Sequence, residues 1–266
     1  MRKDKNNGEK ILRPIHANVG VAAEYRQLLE RMILRMHESI TYWLLANYKA
    51  NEPVVAQDAV PALELRRTLR RLMRRWNGHW NEAAPKLARY FALSTKKRSD
   101  KVLKKILKDA GISVDFVLSD AMRDVLHATV IQNVALIKSI PQQYLQQVEG
   151  IVMRSVQTGR DVGQLSKDLQ KQFGVTKRRA ALIARDQNQK ATSALVRVRQ
   201  LDLGIEEAIW LHSHAGKKPR PTHVAMNGKR YNIKKGIWDS HEKKFVHAGE
   251  LINCKCISKP IIVGFS

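Results

Sequence analysis

Helical periodicity runs through most of this chain and stops near residue 204, and this change limits the possible folds more than any other feature. Between residue 18 and about residue 203, apolar side chains recur every three or four residues, with loops between the runs. This spacing places the apolar side chains on one face of a helix. After Gly204, β-branched and aromatic runs alternate with turn residues. The sequence therefore predicts an α+β fold: a mostly helical body with a small, irregular, β-containing C-terminal cap.

The predicted elements divide the chain into three parts. Residues 1–16 are polar and predict a mobile basic arm, and residues 17–129 predict an N-terminal helical region. Residues 130–266 form the third part. Within it, we expect a helical hairpin or bundle over residues 139–203, followed by the β cap over residues 206–266.

Prolines and glycines predict several breaks within the helical body. Pro85 favours the start of a separate short helix, and Gly111 favours the end of the helix that precedes it. Ser139 is a candidate N-cap for a helix that has Pro141 in its first turn. Gly174 is expected to end a further helix.

The charge of the chain limits the classes of partner that it can attract. There are 48 lysines and arginines against 24 aspartates and glutamates, so the formal net charge is +24. A chain this basic attracts nucleic acid, acidic protein surfaces or anionic lipid, although a solvated basic surface is an alternative. No apolar run approaches the roughly 20 residues of a membrane span, so we expect none.

The segment LRRTLRRLMRRW carries arginines in pairs, one pair every four residues. On a helix these arginines occupy one face, and the leucines between them occupy the opposite face. Like charges on one face repel one another, and a phosphate backbone or an acidic partner would relieve that repulsion. A solvated face is the alternative. We expect contact with nucleic acid or an acidic protein partner from this face and from a second basic helix over residues 177–199. The predicted contact residues are Arg66, Arg67, Arg70, Arg71, Arg74, Arg75, Lys177, Arg178, Arg179 and Arg185.

The C-terminal part contains five of the nine histidines and both cysteines. Imidazole and thiolate are the ligands that tetrahedral zinc prefers, and a small cap with little core gains stability from a metal cross-link. His223, Cys254 and Cys256 are the favoured ligands for a structural zinc ion. The fourth ligand is predicted among His214, His241 and His247. The alternative is two buried free thiols and several surface histidines without a metal.

A nuclease site is a second interpretation of the same region. His223, Asn227, Asp239 and His241 could supply a general base and ligands for a hard cation. However, no His-Asn-His spacing occurs, and the sequence lacks the GxSxG, Walker, GxGxxG and HExxH motifs. We therefore expect a protein that is not an enzyme, with no catalytic residues.

The order of several segments resembles a known family. These segments are NVALIKSIP, TGRDVGQL, RRAALIARDQNQK, IWLHSHAGKKPRPTHVAMNG and GELINCKC. Over about residues 130 to 260 the chain is similar to the phage head morphogenesis family, the Mu F-like, SPP1-type minor head proteins of tailed bacteriophages. The motif residues are Arg185, Arg220, His223, Gly228, Asn253, Cys254 and Cys256. The chain departs from the family pattern at residues 214–217, where an Asp is usual, and at Lys255, where an Arg is usual.

The resemblance implies a minor capsid protein present in few copies at the portal vertex. Such a protein would act in head assembly and in DNA packaging or ejection. Its implied partners are the portal protein, other capsid or scaffold proteins and non-specific double-stranded DNA. The implied location is the virion, in the capsid interior or at the portal vertex, and the host cytoplasm during assembly. A metal-dependent nuclease and a general DNA-binding protein are the alternatives.

Overall fold

The computed structural model describes residues 8–50, 60–158, 161–214 and 218–264. In these residues, four long helices and one short helix are combined with six short strands. In chain order the elements are β1 (Glu9–Ile11), α1 (Val19–Ala50), α2 (Val60–Asp109), α3 (Asp120–Gln157), α4 (Val162–Asp202), β2 (Glu207–Leu211), α5 (Pro221–Ala225), β3 (Arg230–Asn232), β4 (Ile237–Asp239), β5 (Lys244–Val246) and β6 (Ile257–Val263). The helices and the C-terminal strands confirm the predicted α+β fold.

The long helices continue through two prolines at which the sequence predicts a boundary. Pro85 lies inside α2 and Pro141 lies inside α3. An interior proline removes one backbone hydrogen bond and costs about 3 kcal/mol. Burying one large apolar side chain contributes about 1.5–3 kcal/mol. The buried residues beside the two prolines, Ala84, Ala88 and Phe91 in α2 and Ile140, Tyr144 and Leu145 in α3, offset this cost.

The predicted caps at Ser139 and Gly174 are also wrong, because both residues lie inside helices. The Ser139 hydroxyl donates to the carbonyl of Leu136, one turn earlier, instead of capping a helix start. Gly174 lies within α4, and the hydroxyl of Thr176 donates to the carbonyl of Gln172. The predicted break at Gly111 is confirmed: α2 ends at Asp109, and Gly111 has a φ of 87°, which favours glycine.

Four strands form an antiparallel sheet in the order β1-β6-β2-β3. Strands β4 and β5 pair separately as an antiparallel hairpin. The prediction of a mobile arm over residues 1–16 is wrong for its second half. Residues 9–11 form strand β1 and pair with β6, and the side chains of Leu12 and Ile15 are buried. Burial of these two apolar side chains holds this segment against the cap. Residues 1–7 of the predicted arm lie outside the described residues.

The chain forms two compact units, and each is assembled from separate segments. The first unit contains residues 1–22, 90–129 and 185–266, and the second contains residues 23–89 and 130–184. The units therefore cut across the linear division that the sequence predicts at residue 130. No helix in the described residues is both long enough and apolar enough to cross a lipid bilayer.

The sheet belongs to the first unit and covers its main apolar core. This core combines residues from the end of α2, from α4 and from the cap: Leu103, Leu107, Val196, Ile205, Trp210, Ile233 and Val246. Both cysteines are part of it. The candidate metal ligands are therefore fixed by a packed core and not by a free loop.

Candidate functional site

His223 lies on α5, a single turn that the residues before it hold in place. Pro221 occupies the first turn of this helix, where its missing N–H leaves no interior hydrogen bond unmade. Arg220 precedes it in extended conformation, as expected before proline. The ring of Trp210 packs edge-on against the His223 ring, with 5.1 Å between centroids. This packing buries His223 and fixes its side chain.

Cys254 and Cys256 lie on the segment that leads into β6, and α4 anchors that segment. Asn253 has a φ of 59°, a left-handed conformation that asparagine tolerates better than most residues. Its backbone N–H donates to Asp186 Oδ1 at 2.6 Å. The side-chain amide of Gln189 donates to the carbonyl of Cys256 at 3.1 Å. Two helix residues therefore fix the backbone on both sides of Cys254.

The three predicted ligands meet at one point. His223 Nδ1 lies 3.4 Å from the sulfur of Cys254 and 3.6 Å from the sulfur of Cys256. All three side chains are buried, and their ligand atoms all lie within 4.8 Å of one another. Among the described residues, this is the group of three or more histidine, cysteine or carboxylate side chains that is close enough to hold one metal ion.

Asp239, at the end of β4, lies on the other side of the His223 ring. Its Oδ2 is 3.3 Å from His223 Nε2. Burial by itself raises the pKa of Asp239. The backbone N–H groups of Glu242 and His241, the hydroxyl of Thr222 and the nearby His223 together hold that pKa below its usual value. Asp239 is therefore a carboxylate, and it favours the proton of His223 on Nε2, which leaves Nδ1 free as a ligand.

The two thiols do not share the same protonation state. A hydrogen bond from the Cys256 thiol is the main cause that lowers the pKa of Cys254, despite its burial. The same contact with Cys254, together with burial, raises the pKa of Cys256. The pair therefore releases its first proton easily, because the remaining thiol stabilises the thiolate beside it.

A cleft of about 360 Å³ opens beside the three ligands. Its lining includes all three ligands and several basic side chains, among them His212, Lys218, Arg220 and Lys255. Arg220 also donates to the carbonyl of Ile252 at 3.1 Å, so it ties α5 to the turn that precedes Cys254. Solvent reaches the ligands through this cleft.

None of the predicted fourth ligands joins the cluster. The exposed His214 packs its ring edge-on against His212, with 4.6 Å between centroids. His241 is exposed, and its Nδ1 lies 3.6 Å from a carboxylate oxygen of Glu242. His247 lines a separate small cavity with Arg197 and Tyr231. Distance along the chain does not indicate which histidines a loop-rich cap brings together.

The residues of the nuclease interpretation do not converge on a site for a hard cation. The Asn227 side chain accepts a hydrogen bond from the backbone N–H of His212, so it serves a turn. Asp239 is fully buried and already accepts three hydrogen bonds. The side chain of His241 points into solvent.

Most of the motif residues surround the cleft. Arg220, His223, Asn253, Cys254 and Cys256 all line it. Gly228 and Arg185 do not. Gly228 has a φ of 80° and donates its N–H to the carbonyl of Trp210, so it shapes the turn before β3. Arg185 is exposed on α4, next to Asp186. Of the departure at residues 214–217, only His214 lies within the described residues.

The arginine face of α2, defined as Arg66, Arg67, Arg70, Arg71, Arg74 and Arg75, is exposed along its whole length. The leucines on the opposite side, Leu65, Leu69 and Leu72, are buried. Arg67 pairs with Glu64 at 2.6 Å. This helix is amphipathic as predicted. Its role in binding stays a prediction.

The second predicted contact surface, on α4, is less uniform. Arg178 and Arg185 are exposed, whereas Lys177 and Arg179 are half-buried. Lys177 lies over the ring of Phe173, and Arg179 donates to the Ser139 hydroxyl at 2.8 Å. Arg179 therefore already has a polar partner within the chain, and burial lowers its pKa.

Two acidic residues matter here in ways that the sequence does not reveal. Asp239 was a candidate only for a hard-cation site, but it lies against the histidine of the thiol cluster. Asp186 carries no motif, yet it holds the turn at Asn253. Asp186 accepts a hydrogen bond from the backbone N–H of Asn253, and Asp239 lies 3.3 Å from His223 Nε2. Each contact joins residues distant in the chain, and no local pattern marks it.

Two comparisons of the sequence with known proteins give a match. Residues 146–258 match the family described as Phage Mu protein F like protein. The match includes all of α4 and all the lining residues of the cleft. An uncharacterized protein of Haemophilus influenzae (strain ATCC 51907 / DSM 11121 / KW20 / Rd) is 32% identical over 140 residues. That alignment covers 52% of this chain and 29% of the relative, so the chain spans less than a third of the relative's length.

No solved structure matches this chain. The family match includes five of the motif residues that line the cleft, and it begins within α3. Over residues 146–258, less than half of its length, the chain is similar to the family described as Phage Mu protein F like protein.

Proposed function

We propose that this protein is a minor head protein that associates with the portal vertex of a tailed bacteriophage or prophage. There it acts in head assembly and in DNA packaging or ejection. The family match carries the first part of this proposal. The net charge of +24 and the exposed arginine face support the second part.

The arginine face suits a negatively charged partner for a physical reason. Six guanidinium groups on one side of a helix repel one another, and a single acidic neighbour, Glu64, contacts one of them within the described residues. Phosphates or carboxylates of a partner would neutralise the other five. Binding of this kind depends on charge and not on base sequence. A protein that contacts packaged DNA must bind in this way, because it meets many different base sequences.

A co-purification experiment tests the association. The tagged protein is expressed in induced or infected cells, and portal protein and DNA are measured in the purified material. We expect both to be enriched with the wild-type protein. Replacing Arg70, Arg71, Arg74 and Arg75 with Glu should remove whichever partner contacts the face, while the helical circular dichroism stays unchanged.

The matched control reverses four exposed cations elsewhere on α2: Lys97→Glu, Arg98→Glu, Lys101→Glu and Lys105→Glu. This control changes the net charge by the same amount as the replacement of the four arginines with Glu. If both variants lose their partners equally, net charge explains the binding and the arginine face has no special role. If neither loses them, that face is ordinary solvated surface.

A further inference from the structure

We propose that His223, Cys254 and Cys256 bind one Zn²⁺ ion, and that the fourth coordination position opens to the cleft. This inference does not depend on the proposed function, because it concerns the stability of the cap whatever its partner. It rests on the geometry of three buried side chains.

The distances between the ligand atoms match those of a tetrahedral zinc site. Zinc lies about 2.3 Å from thiolate sulfur and about 2.0 Å from imidazole nitrogen, so tetrahedral angles place nitrogen and sulfur about 3.5 Å apart. The distances from His223 Nδ1 to the two sulfurs are 3.4 Å and 3.6 Å. An ion therefore fits between the three atoms without a change in the fold.

The surroundings of His223 also match a metal ligand. Histidines that bind zinc almost always use their second ring nitrogen to contact a carboxylate or a carbonyl. His223 Nε2 lies 3.3 Å from the buried carboxylate of Asp239. This contact fixes the ring and keeps Nδ1 directed at the sulfurs. Asp239 acts here as a positioning residue and not as a ligand.

The choice of metal follows from the ligand chemistry. Two thiolates and one imidazole are soft or intermediate ligands, which favour zinc over magnesium or calcium. The latter ions prefer six or more oxygen ligands, and within the described residues the cluster itself contributes no oxygen.

A cysteine nucleophile activated by His223 and Asp239 is the main rival explanation. A reactive thiol lies at least partly exposed in its site. Cys254 and Cys256 are 5% and 2% exposed. In addition, two sulfurs lie at almost equal distances from one imidazole nitrogen, whereas a nucleophile needs only one. These nearly equal distances favour a metal ion bound by both sulfurs over a single nucleophilic cysteine.

The cleft explains why the fourth position is open. It is lined by the three ligands and reaches solvent, while the predicted fourth ligands lie elsewhere. Water is then the fourth ligand. His212 also lines the cleft, so it is the protein side chain that the experiment must test.

Metal analysis of the full chain, purified without chelator, tests the site. We expect about one zinc ion per chain. Replacement of zinc by Co²⁺ should give the intense near-ultraviolet absorption of thiolate-to-cobalt charge transfer. The variant Cys254→Ser/Cys256→Ser should contain no zinc and lack this absorption. His214→Gln and His241→Gln are matched controls and should keep both.

Because the cysteine variants could fail to fold, the wild-type protein provides an independent measurement. A strong chelator should release the zinc and lower the melting temperature, and added zinc should reverse both changes. His212→Ala should keep one zinc ion and the cobalt absorption.

Three results would overturn the inference. Purified protein without zinc that also fails to bind added Zn²⁺ or Co²⁺ has no such site. Zinc retained by the double cysteine variant must be bound elsewhere. Loss of zinc in His212→Ala would show that the fourth position is closed by protein.

Discussion

At the scale of single residues, backbone conformation decides which side chains meet. Asn253 adopts a left-handed φ of 59° directly before the two cysteines. This conformation costs most residues about 1–2 kcal/mol, and it costs asparagine less. Cys254 and Cys256 are two residues apart, the spacing at which side chains of an extended segment lie on the same side. One turn therefore directs both sulfurs toward His223.

His247 predicts a dependence of stability on pH. Burial and, to a smaller extent, the positive charge of Arg197 together lower the pKa of His247 to about 4, and Glu250 opposes this shift. The folded protein therefore holds His247 neutral, whereas the unfolded chain binds a proton near pH 6.5. Below pH 6.5 the unfolded state takes up more protons, so the free energy of unfolding should fall as the pH drops toward 4.

Melting temperatures at pH 7 and pH 5 test this prediction. We expect the wild-type protein to lose more stability between these values than His247→Gln, which has no imidazole at this position. His241→Gln, which removes an exposed histidine, should keep the wild-type dependence. Equal losses in the wild-type protein and His247→Gln would contradict the assigned cause.

At the scale of elements, a buried ion pair joins α2 to α4 within the first unit. Arg199 is 2% exposed and donates to both oxygens of Asp100, at 2.9 Å and 3.1 Å. Its guanidinium also lies 4.7 Å from the centroid of the Phe116 ring and contacts the carbonyl of Val117. Burial alone would raise the pKa of Asp100, but its hydrogen bonds from Arg199 and Lys96 keep that pKa low.

Removal of this arginine should be destabilising, because Asp100, whose side chain is 15% exposed, then keeps only Lys96 as a charged partner among the described residues. Arg199→Leu is expected to lower the free energy of unfolding by about 1.5–3 kcal/mol, measured by denaturant titration. The control is Arg123→Leu, which removes an exposed arginine that pairs with Asp120, and it should cost less than about 1 kcal/mol. Similar losses of stability in the two variants would show that the pair of Arg199 and Asp100 contributes no more than an exposed ion pair.

The same scale explains why no new helix starts at either proline. At Pro85 and Pro141 a local rule predicts a boundary, and apolar packing on both sides of each proline overrides it. Gly111 behaves as predicted because the chain must turn there, and its positive φ is available to glycine without strain.

At the scale of the whole molecule, the net charge of +24 predicts salt-dependent DNA binding. The logarithm of the binding constant should fall linearly with the logarithm of the salt concentration, by about 0.9 for each phosphate contact. Replacing Arg70, Arg71, Arg74 and Arg75 with Gln should reduce the magnitude of that slope by about 3 to 4 if all four contact phosphates.

Fluorescence titrations of two unrelated duplexes at several salt concentrations provide the measurement. We expect equal affinities for the two sequences, because the contacts are to the phosphate backbone. A strong preference for one duplex that survives raised salt would favour a sequence-specific DNA-binding protein. An unchanged slope in the variant would show that the phosphate contacts lie outside the arginine face.

The sequence by itself determined the α+β class, the amphipathic arginine helix and the three metal-ligand candidates. These features follow from periodicity and residue chemistry, which are local. Tertiary structure alone decided that β1 pairs with β6, that the helices continue through Pro85 and Pro141, and that Asp239 faces His223. It also separated His214, His241 and His247 from the cluster. The physical reason is that these outcomes depend on packing between segments distant in the chain, where burial and hydrogen bonding outweigh local preference.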